Sequence, residues 1–283
     1  MKYLKLMRVK HYLKNFLIFL PIIFSKNLFN IDILKKCIVA FFAFSLISSV
    51  IYILNDLKDI EKDRKHPIKK NRPLASGAVS KQSGIVIMVL LFIISILLLM
   101  MNGLLLNVAN IFLIIYFIIN ILYSCGLKNV PLLDITILSF GFVLRVLYGG
   151  SIVSIPVSSW LFLTVLSVSF YMALGKRKKE LVKLKSNKTR SVLKYYTENF
   201  LEKNMYMFLT LAIVFYSLWT TLVVNSDLFK YSIIFVILIL MKYNLNIEKD
   251  GYGDPVDVIL GDKILISILF IYCLFCFTIL YIV

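Results

Sequence analysis

Three aspartates, Asp56, Asp59 and Asp63, are the residues of this sequence whose type and spacing best suit chemistry. They follow a long apolar run, and we call them the aspartate cluster. On a helix that turns about 100° per residue, the three carboxylates fall within roughly 60° of one another, and the neighbouring lysines point to the opposite side. Mg²⁺ usually binds one or two carboxylates together with substrate phosphates. The spacing therefore predicts a Mg²⁺ site for a phosphorylated substrate.

The place of the aspartate cluster in the chain favours a functional site over a solvated helix end. A stretch of mixed charge is commonly a solvated helix end with no further role. Here the cluster directly continues an apolar segment that is long enough to cross a membrane, and ionisable residues at such places usually serve a function. We therefore favour catalysis.

The composition is typical of a membrane protein. The chain has 283 residues, of which 60% are hydrophobic, and its mean hydropathy is +0.88. Several apolar runs approach the ~20 residues that a helix needs to cross a bilayer. A soluble core cannot use this much apolar surface, so we predict an all-α polytopic membrane protein. No soluble domain, linker or internal repeat interrupts the series, which favours one membrane domain over residues 1–283.

Hydropathy and the positions of Pro, Gly and charged residues predict nine membrane spans. They lie near 12–30, 35–55, 82–101, 105–123, 131–150, 157–174, 204–224, 229–244 and 263–283. Most of the 32 Lys and Arg residues fall before the first span and in alternate loops. The positive-inside rule then puts the N-terminus in the cytoplasm and the C-terminus outside. We expect an inner (plasma) membrane protein whose aspartate cluster faces the cytoplasm.

The formal charge of +17 predicts anionic partners for the protein. The basic residues lie in loops between spans rather than in a separate basic domain, so we expect no nucleic acid. Anionic headgroups of the lipid bilayer and phosphorylated substrates are the predicted partners, and a homo-oligomer is left open. The four cysteines lie in or beside apolar segments, which predicts reduced packing residues.

Basic and aromatic residues near the predicted cytoplasmic ends of the spans are candidates for binding phosphate. Arg72 ends a basic loop after His66-Pro67, where we expect the helix to stop, and its planar guanidinium suits phosphate oxygens. Lys128 is the only basic residue of its short loop, and together with Tyr123, five positions earlier, it could hold a phosphate and a sugar hydroxyl. For Tyr123 alone, a place in the interfacial aromatic belt is the commoner explanation. For Lys14, phosphate binding and snorkelling to the interface remain equally open.

Arg145 and the run that begins at Lys176-Arg177 carry the remaining candidate cations. Arg145 lies deep in the fifth span, where an unpaired guanidinium is costly, so it needs a partner. Asp134 is about 16 Å away along a straight helix and cannot be that partner. Both an inter-helix role and a substrate contact remain open for Arg145. We expect the run after the sixth span to open a long basic loop over 175–203.

The pattern Asn55-Asp56-x-x-Asp59-x-x-x-Asp63 resembles the UbiA superfamily of intramembrane prenyltransferases. In most of that family a second aspartate-rich motif follows the sixth span, and two Mg²⁺ ions hold a prenyl diphosphate between the motifs. This chain has Lys176-Arg177-Lys178-Lys179-Glu180 there instead. The resemblance implies a UbiA-like helical bundle.

Several further stretches look like one branch of that superfamily, the decaprenyl-phosphate phosphoribosyltransferases. They are Arg8-x-x-x-x-x-Lys14-Asn15, His66-Pro67 to Arg72-Pro73, Tyr123 to Lys128, Asp134, Gly141-Phe142-x-x-Arg145 and Lys176-Arg177-x-x-Glu180-Leu181. The resemblance implies transfer of ribose 5-phosphate from 5-phosphoribosyl 1-diphosphate (PRPP) to a membrane polyprenyl phosphate. It also implies Mg²⁺ as cofactor on Asp56, Asp59 and Asp63, and it implies that these three are the catalytic residues. The implied substrate-binding residues are Arg8, Lys14, Asn55, Arg72, Tyr123, Lys128, Asp134, Arg145, Lys176 and Arg177.

Two other functions compete with this prediction. An aromatic prenyltransferase of the same fold, which uses a polyprenyl diphosphate, would need a second carboxylate cluster, for which Glu180, Asp254 and Asp257 are the only candidates. A lipid-phosphate or anion transporter would use intramembrane charges such as Arg145 within inverted repeats. The sequence shows no such repeats.

Overall fold

A computed structural model describes residues 1–65, 69–183, 191–224, 226–249 and 253–283, and all regular structure within these ranges is helical. Twelve α-helices are described: α1 (Lys2–Met7), α2 (Leu20–Phe24), α3 (Ile31–Lys58), α4 (Ile60–Arg64), α5 (Lys81–Met101), α6 (Asn110–Cys125), α7 (Leu133–Ile152), α8 (Ser159–Lys183), α9 (Glu198–Leu222), α10 (Ser232–Glu248), α11 (Pro255–Leu260) and α12 (Lys263–Tyr281). Short 3₁₀ helices cover Val9–Phe19, Lys69–Asn71, Leu127–Asn129, Ser191–Tyr195 and Phe229–Tyr231. The all-α prediction is confirmed.

Seven of the described helices are long and apolar enough to cross a membrane. They are α3, α5, α7, α8, α9, α10 with its preceding 3₁₀ turn, and α12. The protein is therefore a multi-pass membrane protein. The fourth predicted span corresponds to the apolar helix α6, which has 16 residues, and the first corresponds to the 3₁₀ helix Val9–Phe19 followed by α2. Nine spans and the orientation of the termini stay predictions.

Polar side chains cap the starts of the helices, which satisfies backbone N–H groups that lack partners there. The Asn30 side chain accepts from two amides at the start of α3, and Thr197 caps α9. Asp254 caps α11, since its side chain accepts from the Val256 amide. Asp262 caps α12, and its bonds with the Leu265 amide and with Lys242 hold the pKa of that carboxyl below its usual range.

The chain divides into two compact units. Unit 1 comprises Met1–Ile23, Asn27–Lys128 and Leu144–Ile155. In its core the Phe44 ring packs against the Tyr116 ring at 4.5 Å between centroids. The backbone of Gly149 passes so close to Ile18 that an added Cβ would lie 2.0 Å from the Ile18 carbonyl oxygen. Only glycine fits there.

Unit 2 comprises Phe24–Lys26, Asn129–Val143 and Pro156–Val283. Helices α8 and α9 pack side by side in it, and Phe170 stacks on Phe208 with 4.6 Å between ring centroids. Its core also includes buried residues of α10 and α11. The prediction of one domain stays a prediction.

Several predicted boundaries differ from the structure. Where we expected a loop from Gly175, α8 continues through the basic run to Lys183, and α9 begins at Glu198 rather than near 204. The helix end predicted at His66-Pro67 lies outside the described residues. All four cysteines are free, as expected, and Cys37 and Cys276 are buried.

Candidate active site

The aspartate cluster lies where α3 passes into α4. The chain keeps a helical path through the junction, since the Asp59 amide donates to the Asn55 carbonyl at 3.0 Å and the Asp63 amide donates to the Asp59 carbonyl at 2.8 Å. Asp56 and Asp63 are only 3% and 4% exposed. The lysines of the same stretch, Lys58, Lys62 and Lys65, are exposed. The predicted division into an acidic and a basic face is confirmed.

Arg72 joins two of the three carboxylates. One nitrogen of its guanidinium, Nη1, donates to Asp56 Oδ1 at 3.0 Å and to Asp63 Oδ2 at 2.7 Å. The 3₁₀ turn Lys69–Asn71 leads directly into Arg72, and Arg64 of α4 donates to the Ala75 carbonyl just beyond it. The basic loop therefore folds back over the aspartates.

Arg8 approaches the same aspartate from the N-terminal segment. Its Nη2 donates to Asp56 Oδ1 at 2.5 Å, and its guanidinium lies 4.8 Å from the centre of the Tyr52 ring. The Arg8 backbone has φ +53°, a left-handed conformation that costs a non-glycine residue about 1 kcal/mol. Backbone strain of this kind is common at functional sites.

Lys128 completes the set of cations. Gly126, with φ +157°, ends α6 and turns the chain into the 3₁₀ turn Leu127–Asn129. Lys128 Nζ then lies 2.5 Å from Asp59 Oδ2. We call Asp56, Asp59, Asp63, Arg8, Arg72 and Lys128 the unit-1 charge cluster. The three cations, which the sequence marked separately, keep 20%, 25% and 14% of their side chains exposed, respectively.

The carboxylates of the unit-1 charge cluster fit a divalent cation in part. Asp56 and Asp63 converge on one positively charged group, the Arg72 guanidinium, and Mg²⁺ is usually bound by one or two carboxylates together with substrate phosphates. Asp59 instead pairs with Lys128. Within the described part of the chain, no three His, Cys, Asp or Glu side chains are grouped to hold a metal by themselves. Substrate oxygens would have to complete the coordination.

Arg145 has neutral partners within unit 1. Its Nε donates to Asn15 Oδ1 at 2.7 Å, and its Nη2 donates to the Tyr116 hydroxyl at 2.9 Å. Its guanidinium also lies 5.1 Å from the centre of the Phe44 ring. These contacts provide the partner that a buried arginine requires. Three other predicted residues, all half-buried, lie in the 3₁₀ helix Val9–Phe19 and in the last turns of α3 and α6: Lys14, Asn55 and Tyr123.

Asp134 and Arg177 form a separate, sealed ion pair in unit 2. Both side chains are 0% exposed, and Arg177 Nε lies 2.5 Å from Asp134 Oδ2. Arg177 also donates to Glu180 at 2.8 Å, and the Tyr196 hydroxyl donates to Asp134 Oδ1 at 2.5 Å. Burial, followed by the bond to Asp134, raises the pKa of Tyr196 to about 12. We call these four residues the unit-2 buried network.

Sequence reasoning missed Tyr196. It is the second of two adjacent tyrosines in a segment that we read as a basic loop, and no spacing relates it to Asp134, which lies 62 positions earlier.

The other basic residues at the end of α8 are also engaged within unit 2. Lys176 pairs with Asp254 at 3.1 Å, and Lys178 pairs with Glu202 at 3.2 Å. Lys179 donates to the carbonyls of Ile247 and Lys249, at the end of α10. Since each of these charges has a partner, α8 can continue where the sequence predicted a loop.

The fold and the unit-1 charge cluster together define a multi-pass helical membrane protein with a buried carboxylate and cation site. The chain belongs to the UbiA prenyltransferase family, whose model matches residues 22–254. It is therefore an enzyme of the transferase class.

Curated relatives agree with this membership, and a solved structure shares the fold. The chain is 32% identical to a decaprenyl-phosphate phosphoribosyltransferase from Mycolicibacterium smegmatis over 85% of this chain and 78% of that protein. It is 28% identical to one from Corynebacterium glutamicum over 96% and 85%, respectively. A UbiA homologue from Archaeoglobus fulgidus, solved with DMAPP and Mg²⁺, has a TM-score of 0.74 at 17% identity and covers the full length of both chains.

Proposed function

We propose that this enzyme transfers the 5-phosphoribosyl group of PRPP to a polyprenyl phosphate in the membrane. The products are diphosphate and a prenyl-phosphoryl ribose 5-phosphate. The observation that carries the proposal is the unit-1 charge cluster, in which Arg8, Arg72 and Lys128 converge on three carboxylates. Both substrates are phosphates, and a site with several partly exposed cations is suited to bind them.

The reaction needs charge neutralisation and positioning more than a strong base. An oxygen of the lipid phosphate forms a bond to the anomeric carbon of the ribose, and the bond from that carbon to the diphosphate breaks. A phosphate monoester has a second pKa near 6, so the nucleophile is already largely dianionic at pH 7. Arg8, Arg72 and Lys128 would orient the phosphates and balance the charge of the departing diphosphate.

Asp56 and Asp63 are the residues that would hold Mg²⁺. When bound, this ion supplies positive charge to the leaving diphosphate. The chain's own contribution is to place two buried carboxylates next to Arg72, so that the substrate meets both an anionic and a cationic group. Asp59, through its pair with Lys128, would fix the position of that lysine.

The basic end of α8 favours PRPP over a prenyl diphosphate as the substrate that loses diphosphate. An aromatic prenyltransferase of this family would need further carboxylates for a second metal ion. Of the candidate carboxylates in unit 2, Glu180 pairs with Arg177, and Asp254 caps a helix and pairs with Lys176. Neither of these two carboxylates is left for a metal in this arrangement.

The proposal includes a cytoplasmic active site, because PRPP is a charged, water-soluble substrate and the distribution of Lys and Arg puts the unit-1 charge cluster on that side. The apolar helices would take the lipid chain.

The decisive experiment measures transfer of radiolabel from PRPP to an organic-extractable lipid by the purified protein, with a polyprenyl monophosphate, in the presence and absence of Mg²⁺. Metal-dependent labelled lipid is the expected result. Absence of label, together with turnover of a polyprenyl diphosphate and an aromatic acceptor, would overturn the proposal in favour of an aromatic prenyltransferase.

A further inference from the structure

The connection between α6 and α7 is held in an unusual backbone conformation. Leu132, directly before α7, has φ +67°, which is unfavourable for a leucine because its Cβ crowds the backbone. Its amide donates to the Tyr196 hydroxyl at 2.7 Å. The same hydroxyl donates to Asp134 at 2.5 Å, so its direction is determined from both sides.

A second bond ties the same connection to the same distant segment. The Ser191 hydroxyl donates to Asn129 Oδ1 at 3.0 Å. Asn129 follows Lys128 directly, and both belong to the 3₁₀ turn Leu127–Asn129. The segment 191–196 therefore holds the connection at two points, one beside Lys128 and one at the strained Leu132.

We infer that Tyr196 and Ser191 are positioning residues, which hold the connection 127–132 so that Lys128 is presented to the phosphorylated substrate. The inference rests on the proposed function, because it assigns Lys128 to phosphate binding. The unit-2 buried network anchors Tyr196, because Arg177 holds the other oxygen of Asp134. Tyr196 acts through the backbone and touches no substrate.

The position of Tyr196 requires a tyrosine because its hydroxyl makes two hydrogen bonds there. Phenylalanine would fill the same space, but it could neither accept from the Leu132 amide nor donate to Asp134. Tyr195, the preceding residue, is 60% exposed and its ring lies near the Lys194 ammonium, so it provides a matched control of the same type in the same segment.

The test compares Tyr196→Phe, Ser191→Ala and Tyr195→Phe. Loss of one neutral hydrogen bond corresponds to a factor of about three to ten, so we expect Tyr196→Phe to raise the KM for PRPP by about that factor with kcat less affected. Ser191→Ala should act in the same direction and more weakly, and Tyr195→Phe should match the wild type. In a Lys128→Ala background, Tyr196→Phe should add little.

A rescue variant separates positioning from general stability. Leu132→Gly removes the strain of the left-handed backbone, so adding it to Tyr196→Phe should recover most of the KM without restoring either hydrogen bond. Hydrogen exchange of a peptide that covers 126–134 should be faster in Tyr196→Phe than in Tyr195→Phe, whatever reaction the enzyme catalyses. If the wild type transfers phosphoribose but Tyr196→Phe changes neither the exchange nor the KM, the inference alone is overturned. If exchange is faster in Tyr196→Phe but the wild type does not transfer phosphoribose, the proposed function is overturned and the bracing stands.

Discussion

The unit-1 charge cluster and the unit-2 buried network use the same residue types in different ways. In the first, three cations meet three carboxylates and keep 14–25% of their side chains exposed. In the second, Arg177 and Asp134 are 0% exposed. A phosphate can reach a partly exposed guanidinium and exchange places with a carboxylate, whereas a sealed pair can only hold the fold. From this difference in exposure we propose that the unit-1 charge cluster contacts substrate and that the unit-2 buried network supports the fold.

Loss of Arg177 should give the largest effect and should appear in stability. Arg177→Met leaves the Asp134 carboxylate buried without its cation, which typically costs about 3–5 kcal/mol. We expect a strongly lowered Tm in detergent or loss of folded protein. Lys178→Met is the control, because the Lys178–Glu202 pair is more exposed and such pairs contribute about 1 kcal/mol or less.

A second variant makes this prediction sharper. Adding Asp134→Asn to Arg177→Met removes the unpaired charge, so part of the lost Tm should return. If Arg177→Met alone keeps the wild-type Tm, the unit-2 buried network is not structural and the comparison between the two clusters fails.

Loss of Asp56 should give the opposite pattern, with activity lost and the fold kept. Asp56→Asn preserves the shape and removes the charge that faces Arg8 and Arg72, so we expect turnover to fall by about 100-fold or more with little change in Tm. Asp32→Asn, at the exposed start of the same helix, is the control. Near-normal turnover of Asp56→Asn at saturating Mg²⁺ would rule out the metal assignment.

The unit-1 charge cluster could be predicted from the sequence in part, whereas the unit-2 buried network could not. The face formed by Asp56 and Asp63 follows from local helical spacing, and Arg72 lies only nine residues beyond Asp63, so their proximity was open to inference. The resemblance marked Asp134 and Arg177 as binding residues, but their pairing spans 43 positions and is set by tertiary packing. The basic run after Gly175 predicted a loop because the sequence does not show the distant partners that let α8 continue there.

Loss of Arg72 should have a smaller effect on activity, seen in substrate binding, and should also lower the Tm because buried Asp63 loses its cation. Arg72→Ala removes the group that bridges Asp56 and Asp63, and we expect the KM for PRPP to rise about tenfold, which corresponds to one charge-assisted hydrogen bond. Lys70→Ala, an exposed cation of the same loop, should leave the KM unchanged. An equal rise in both variants would instead indicate that the loop attracts anions through its overall charge.

The smallest effect concerns pH and tests whether Tyr196 belongs to the sealed network. Its pKa is raised from 10 to about 12 in the folded protein, so the neutral phenol stabilises the fold at every pH below 10 and this contribution disappears as the pH rises through 12. The Tm difference between the wild type and Tyr196→Phe should therefore be equal at pH 7 and pH 9 and should shrink above pH 10. A difference that already shrinks between pH 7 and 9 would mean that the phenol loses its proton in the ordinary range, which is incompatible with a hydroxyl that donates to a buried carboxylate.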